Sequence, residues 1–553
     1  MHSPRAWHQR FRLALASPAL VVAVTALAAQ TGEPAARLPV EKLRTIAADV
    51  SQPAQPLNRM AEFCVGAGRA NEGLRADWQR QLRRVREECG FRYVRFHGLL
   101  CDDMGVYFED QAGRPMYNWQ YVDELFDFLR SIGMKPFVEL GFMPSALASG
   151  PQTIFWWHGN VTPPKDYAKW EALIAALVRH CTERYGADEV RSWYFEVWNE
   201  PNLDGFWMGN PGKKSFEEWA PGARAEYFKL YATTARAVKS VDPALRVGGP
   251  ATAGEGWIDE MLAYCAKEGV PLDFVSTHSY ATTSGYLDEH GNAGTVFSPE
   301  RDAITAGVKR VRGQIDRSRF ARAELHYTEW SSSYTPADPI HDSYHSAAFI
   351  LDKMRNIGVA ADSMSYWTFT DIFEEAGPRT TPFHGGFGLL NYQDLPKPSY
   401  YAYKFLHQLG DTQLACADPA AYVCRDARGA MQALFWDFTI THPGASIINQ
   451  EFYRADQPSR PAAAAELNLA GLAKGSYRLR ATRVGYRAND VQTAWREMGS
   501  PAQLTRPQVQ ALRAASAGMP VIDETVAVGA DGRYARRFEM RENDVWFVDL
   551  RPL

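Results

Sequence analysis

Between residues 61 and 410, short apolar runs alternate with longer segments whose apolar residues recur at i, i+3 and i+4. The short runs predict buried strands and the periodic segments predict amphipathic helices. In order, the strand candidates are Glu62–Val65, Tyr93–His97, Pro136–Leu140, Trp193–Trp198, Leu245–Gly248, Phe274–His278, Glu324–Thr328 and Ser363–Phe369. Helical periodicity lies between them at Arg75–Glu88, Val122–Ile132, Tyr167–Tyr185, Ala225–Val241 and His345–Ile357. Strands alternating with helices in this way predict a (β/α)8 TIM barrel over 61–410, with its site at the carboxyl ends of the strands. From Gln413 the texture changes to short alternating segments and turns: Ala433–Phe438, Ser446–Ile448, Ser476–Ala481, Thr525–Val528 and Val545–Leu550. That pattern predicts a C-terminal β-sandwich domain over 411–553. One helical insertion is expected inside it, opened by the capping-box spacing of Thr505 and Gln508 and packed back on the barrel.

Ahead of the barrel, Arg5, Arg10 and Arg12 precede an apolar run, Leu13 to Ala29, that ends in Ala26-Leu-Ala28. This is the pattern of a cleaved export signal over 1–28, followed by an extended Pro- and Ala-rich segment over 29–60. The mature protein is expected in the periplasm or outside the cell, with no membrane anchor. In an oxidising compartment, an odd number of cysteines leaves at least one thiol unpaired. The seven are Cys64, Cys89, Cys101, Cys181, Cys265, Cys416 and Cys424, with no C-x-x-C spacing to suggest zinc or dithiol chemistry. Cys416 and Cys424 are candidates to bridge a hairpin. A formal charge of −4 gives no footing for a nucleic acid or an anionic membrane as partner. Oligomeric state is left open. Gly66-Ala-Gly68 lacks the third glycine of a dinucleotide fingerprint and is expected to be a tight turn.

Two strand ends carry the chemistry. The aromatic run before Asn199-Glu200-Pro201 stops there, because proline cannot donate to a continuing ladder. Glu200 is thus presented between Trp198 and Trp207, and apolar surroundings raise a carboxyl pKa toward that of a general acid. A second strand, Leu325-His-Tyr-Thr-Glu-Trp-Ser331, delivers Glu329 in the same manner. Paired carboxylates at the ends of strands four and seven point to glycoside hydrolysis, with Glu200 as acid/base and Glu329 as nucleophile. No metal and no organic cofactor is required. Regular alternation places Glu324 and His326 on the opposite face from Glu329. Glu196 lies one pleat below Glu200 and is expected in a structural pair.

Several stretches together carry a resemblance: Cys64-Val-Gly-Ala-Gly-Arg69, Arg95 to Asp103, Pro136 to Pro144, Trp198-Asn-Glu-Pro-Asn202 and Ser276-Thr-His-Ser-Tyr280. Thr328-Glu-Trp330, Tyr366 to Glu375, His384-Gly-Gly-Phe-Gly-Leu389 and Ala494 to Pro501 extend it. In these the chain resembles glycoside hydrolase family 39, of the clan of retaining (β/α)8 glycosidases, and its bacterial β-xylosidases more than its α-L-iduronidases. The resemblance implies an exo-acting β-xylosidase whose substrate is an oligosaccharide or small glycoside. It implies that Arg95 and Tyr280 hold the nucleophile ionised, and that Asn199 bonds the sugar 2-hydroxyl. Trp367 becomes the floor under the sugar, with a cis peptide after it, and Glu374 and Glu375 bind sugar hydroxyls. His97, His278 and Phe142 complete the expected sugar-binding set. Bland readings stand beside these. Arg95 could instead pair with Glu139 or Glu196, His97 and His278 could be structural, Phe142 could only pack its loop down, and Glu374 and Glu375 could be a solvated loop. The alternatives for the whole chain are the same mechanism on another sugar, iduronidase-like or arabinosyl-releasing, and a carbohydrate-binding protein on a decayed barrel.

Overall fold

The computed structural model describes residues 43–213, 215–287 and 293–553. The expected signal over 1–28 lies outside the described residues. Eight parallel strands close into a barrel in chain order. They are β1 (Cys64–Arg69), β2 (Tyr93–His97), β3 (Lys135–Leu140), β4 (Tyr194–Val197), β5 (Arg246–Thr252), β6 (Phe274–Tyr280), β7 (Glu324–Ser331) and β8 (Ser363–Tyr366). The helix Tyr167–Tyr185 shows why the outer layer forms. Asp166 caps it by accepting from the Ala168 and Lys169 N–H groups, and Gly186 follows its last turn. Trp170, Leu173, Ile174, Leu177, Val178 and Cys181 make one buried stripe along it at helical spacing.

Inside the barrel the strands contribute layers. The lower layer is aromatic: Phe137 and Tyr194 stack at 4.9 Å, and His326 meets Tyr194 at 4.8 Å. The next layer is ionic and holds Arg95, Glu139 and Glu196, each wholly buried. The expected tight turn at Gly66-Ala-Gly68 is instead part of β1. A Cβ on Gly66 would sit 2.4 Å from the Trp367 ring, so the glycine is there for close approach.

Two further sheets make the β domain. The seven-stranded one runs Ala54–Pro56, Thr412–Leu414, Ala421–Arg425, Met431–Trp436, Val545–Pro552, Gly475–Val484, Ile522–Val528, and the three-stranded one runs Arg44–Asp49, Pro461–Ala470, Tyr534–Arg541. Ile46, Val423, Phe435, Leu467, Leu479, Phe538 and Val548 share a core in this domain. Residues 44–56 therefore belong to the β domain rather than forming a plain extended lead. Ile46 and Ala48 alternate inward and pair in register with Leu467 and Leu469.

Ser446–Ile448 is no strand. Gly444 at φ +75° turns the chain, and a short helix follows at Asn449–Phe452. The expected helix at Arg506–Ala515 is capped by the reciprocal Thr505–Gln508 box. A second one, Val491–Glu497, was not visible in the pattern. Both pack on Phe383 and Leu395 from the segment after β8. The candidate Cys416–Cys424 bridge is absent, and both thiols are free. Cys424 faces the barrel-side core whereas Cys416 packs against the core of the β domain, so the sheet lies between them.

Candidate active site

The mouth of the barrel is built on an irregularity in β7. Tyr327 pairs with Thr277, but Glu329 pairs with His278, so Thr328 is one extra residue, a β-bulge. The bulge turns both Thr328 and Glu329 inward. His326 also faces the barrel interior, which overturns the simple alternation argument that set it on the opposite face. It stays out of the site because it belongs to the aromatic layer below.

Glu329 is held by strong donors. Arg95 Nη1 donates to Oε1 at 2.5 Å and the Tyr280 hydroxyl to Oε2 at 2.7 Å. Arg95 also reaches Glu139 at 2.8 Å and Glu196 at 2.9 Å. The same arginine thus makes both the structural pairs and the contact with Glu329. One guanidinium neutralises the buried carboxylates beneath the pocket and fixes the one at its surface. Its Nη2 also donates to Asn199 Oδ1 at 2.8 Å, which leaves the Asn199 amide N–H groups available to a ligand.

Glu200 is held differently. It sits just beyond β4 at φ +45°, with Trp198 at φ +72°, a backbone that regular strand geometry does not allow. Trp198 and Trp207 are buried edge to face at 4.9 Å behind it. Burial, opposed by the His97 and Arg95 charges, pushes the Glu200 carboxyl up to about 7. His278, driven down to about 4 by burial, is neutral. Its Nδ1 lies 2.9 Å from Glu200 Oε1 and its Nε2 lies 3.1 Å from Thr328 Oγ1. An oxygen of Glu200, an oxygen of Glu329 and a nitrogen of His278 lie within 4.8 Å of one another. The trio has the spacing of a metal site, but Arg95 already supplies the positive charge on Glu329, so its chemistry does not call for a cation.

A cavity of about 550 Å3 opens above these groups. Its lining includes His97, Asn199, Glu200, Tyr280, Glu329, Trp367 and Glu375 from the expected set. His97 bonds Glu139 at 2.7 Å and lies 3.5 Å from Glu375. Burial acts to lower the His97 pKa, yet Glu139 and Glu375 outweigh it and hold it up at about 10. Glu375 is pushed up to about 7, chiefly by burial. Trp367 is followed by a cis peptide. Arg95 and His278 stand behind the surface, touching the carboxylates rather than the cavity.

Two expected residues fall elsewhere. Glu374 faces away and pairs with Arg69 at 3.1 Å and Arg75 at 3.0 Å, pinning the loop after β8 to the loop after β1. Phe142 is fully buried and packs at 5.9 Å on His97 and 5.5 Å on Trp198, one layer behind the cavity. Sequence reading missed Leu203, Phe206, Ala253, Gly254, Thr282 and Tyr334, which also line it. Their only advance signal was nearness to Glu200 or to the ends of β5, β6 and β7.

A family model described as "Glycosyl hydrolases family 39" matches residues 44–535. A β-xylosidase of Geobacillus stearothermophilus is 45% identical over 386 residues, 68% of this chain and 74% of that protein. One of Caldicellulosiruptor saccharolyticus is 41% identical over 476 residues, 83% of this chain and 89% of that protein. The crystal structure of a monomeric β-xylosidase from Caulobacter crescentus CB15 superposes with a TM-score of 0.86 at 43% identity. The match covers 92% of this chain and all of the other.

Proposed function

The chain belongs to glycosyl hydrolases family 39, and from that premise we infer that it is a retaining β-xylosidase releasing terminal xylose from xylo-oligosaccharides. One observation carries the mechanism: carboxylate oxygens of Glu200 and Glu329 lie within 4.8 Å of each other. Between whole carboxyl groups, retaining pairs stand roughly 5–5.5 Å apart and inverting pairs roughly 6.5–9.5 Å, and nearest oxygens this close fit the shorter spacing. Glu329, charged and held by Arg95 and Tyr280, attacks the anomeric carbon. Glu200 passes its proton to the glycosidic oxygen, which leaves with the electron pair of the broken bond. In the second step the Glu200 carboxylate takes a proton from water, whose oxygen displaces Glu329 from the sugar. In this reading the Asn199 amide, on the cavity wall, is the donor to the 2-hydroxyl, a bond that strengthens as the ring becomes oxocarbenium-like. Trp367 supplies a flat floor, and His97 and Glu375 line the same cavity with groups that bond sugar hydroxyls.

On nitrophenyl β-xyloside, Glu329→Ala is expected to lose about 10⁴-fold or more of the wild-type rate. Added azide restores turnover and yields the α-xylosyl azide. A β-azide would move the nucleophile elsewhere. A wild type that ignores xylosides but cleaves another nitrophenyl glycoside would overturn the sugar.

A further inference from the structure

Glu375 reaches the cavity from a stretch of chain that no ladder holds. β8 ends at Tyr366, and residues 371–378 belong to no strand or helix. A side chain on such a stretch keeps its aim only where other groups fix the backbone beneath it. Three hydrogen bonds do so. The Trp156 N–H, from the loop after β3, donates to Glu375 C=O at 2.8 Å, and the Gly377 N–H turns back to Glu374 C=O at 3.0 Å. The third comes from a side chain: the Glu374 N–H donates to Glu72 Oε1 at 2.9 Å.

Glu72 lies in the short helix Ala70–Leu74 that follows β1. It is 1% exposed and is not among the residues lining the cavity. Its other oxygen, Oε2, accepts from the Arg69 N–H at 3.2 Å. The Arg69 guanidinium is turned to Asp103 and Glu374 instead. A Cβ on Gly68 would sit 2.4 Å from Glu72 Oε2, so β1 carries a glycine where this carboxyl enters. Burying a carboxyl that no cation pairs is costly, and an apolar side chain would fill the space without that cost. What an apolar side chain could not supply is an acceptor for the Glu374 N–H.

We propose that Glu72 is a positioning residue for sugar binding: it fixes the backbone at Glu374 and so aims the Glu375 carboxyl into the cavity. This rests on the reading above, in which Glu375 bonds sugar hydroxyls. The segment from Arg69 to Arg75 holds Glu374 twice, by its N–H through Glu72 and by its carboxylate through the two arginines. The next side chain projects to the other side, where it meets His97 Nε2 at 3.5 Å. Loss of the acceptor leaves the Glu374 N–H unpaired or lets the segment move, and a movement of about 1 Å is enough to spoil a binding geometry. The hydroxyls that Glu375 bonds take no part in the bond change. Their loss weakens ground state and transition state alike and appears in KM.

A double-mutant cycle in the full-length enzyme tests this. On nitrophenyl β-xyloside, Glu72→Ala is expected to raise KM about tenfold with kcat within about twofold. Glu72→Gln keeps one acceptor oxygen and is expected to raise KM about threefold. In a Glu375→Ala background the same two substitutions are expected to change KM by less than about twofold. Thermal melting checks that each variant is folded, and the isosteric Gln variant carries the cycle where Glu72→Ala does not fold. Equal increases of KM with and without Glu375 overturn the proposal, since they report a general loosening of the barrel. So does a loss confined to kcat, or a Glu375→Ala enzyme with the wild-type KM. A wild type silent on xylosides but active on another nitrophenyl glycoside overturns the xylose reading instead, and the same cycle on that glycoside decides the role of Glu72 separately.

Discussion

At the scale of single residues, the proton inventory around His278 says which state Glu200 occupies. The Thr328 hydroxyl has one hydrogen and donates it to Glu196 Oε1 at 2.7 Å. His278 Nε2 must then be the donor toward Thr328, which leaves Nδ1 of a neutral ring as an acceptor facing Glu200. A protonated Glu200 satisfies that acceptor, in agreement with a carboxyl pushed up to about 7 by burial. The protonated form is the working acid, so kcat/KM on a xyloside with a poor leaving group is expected to be full below about pH 7 and to fall roughly tenfold per unit above it. Glu375 titrates in the same range, pushed up to about 7 by burial. Glu375→Gln therefore separates the two, and the alkaline limb should survive it. Thr328→Val frees His278 to turn its N–H toward Glu200, which favours the carboxylate and should move the limb to lower pH. An unchanged limb in Thr328→Val would refute this hydrogen-bond assignment.

At the scale of elements, the short helix Asn449–Phe452 shows how the β domain reaches the site. Asn449 accepts from the Phe297 N–H at 2.8 Å and donates to Asp338 Oδ2 at 2.8 Å. Gln450 accepts from the Thr295 N–H at 3.1 Å. These bonds tie together the hairpin after β6 and the loop after β7, which bring Thr282 and Tyr334 to the cavity. Asn449→Ala leaves a buried amide hydrogen and part of a buried carboxylate unsatisfied, at a cost of about 1–3 kcal/mol. Denaturant unfolding should register that loss. Steady-state kinetics should show a raised KM with kcat little changed, since no group touching the reacting bond is altered. Element boundaries explain the misplaced residues too. Glu374 and Glu375 are adjacent in sequence, yet one meets arginines and the other the cavity, because the chain after Trp367 is irregular and alternation gives no guide there.

At the scale of the whole molecule, the barrel and the β domain are interleaved. Arg44–Asp49 and Ala54–Pro56 enter the β domain before the barrel begins. Arg59 then donates to Leu409 C=O and to Asp411, each at 2.7 Å, and Phe405 stacks on Phe547 at 5.0 Å. Tyr401 donates to Ser516 C=O, joining the last barrel helix to the inserted one. A chain ended at residue 410 strands two segments without their sheets and bares Phe405. It is expected to be insoluble or inactive, while the full chain melts in one calorimetric transition. A soluble, active 57–410 fragment would show that the domains are independent.

The sequence by itself determined the alternation of strands and helices, the barrel, the change to β structure after it, and the two glutamates at strand ends. Those features follow from local periodicity and from proline and tryptophan beside Glu200, which act over a few residues. Only the tertiary structure decided the bulge that turns Glu329 inward, the burial of Phe142 and the pairing of Glu374 with Arg69 and Arg75. It likewise decided the return of residues 44–56 to the β domain and the placing of Leu203 and Tyr334 on the cavity. Each depends on which distant segments meet, and a hydrogen bond or ion pair between residues hundreds of positions apart leaves no period in the chain.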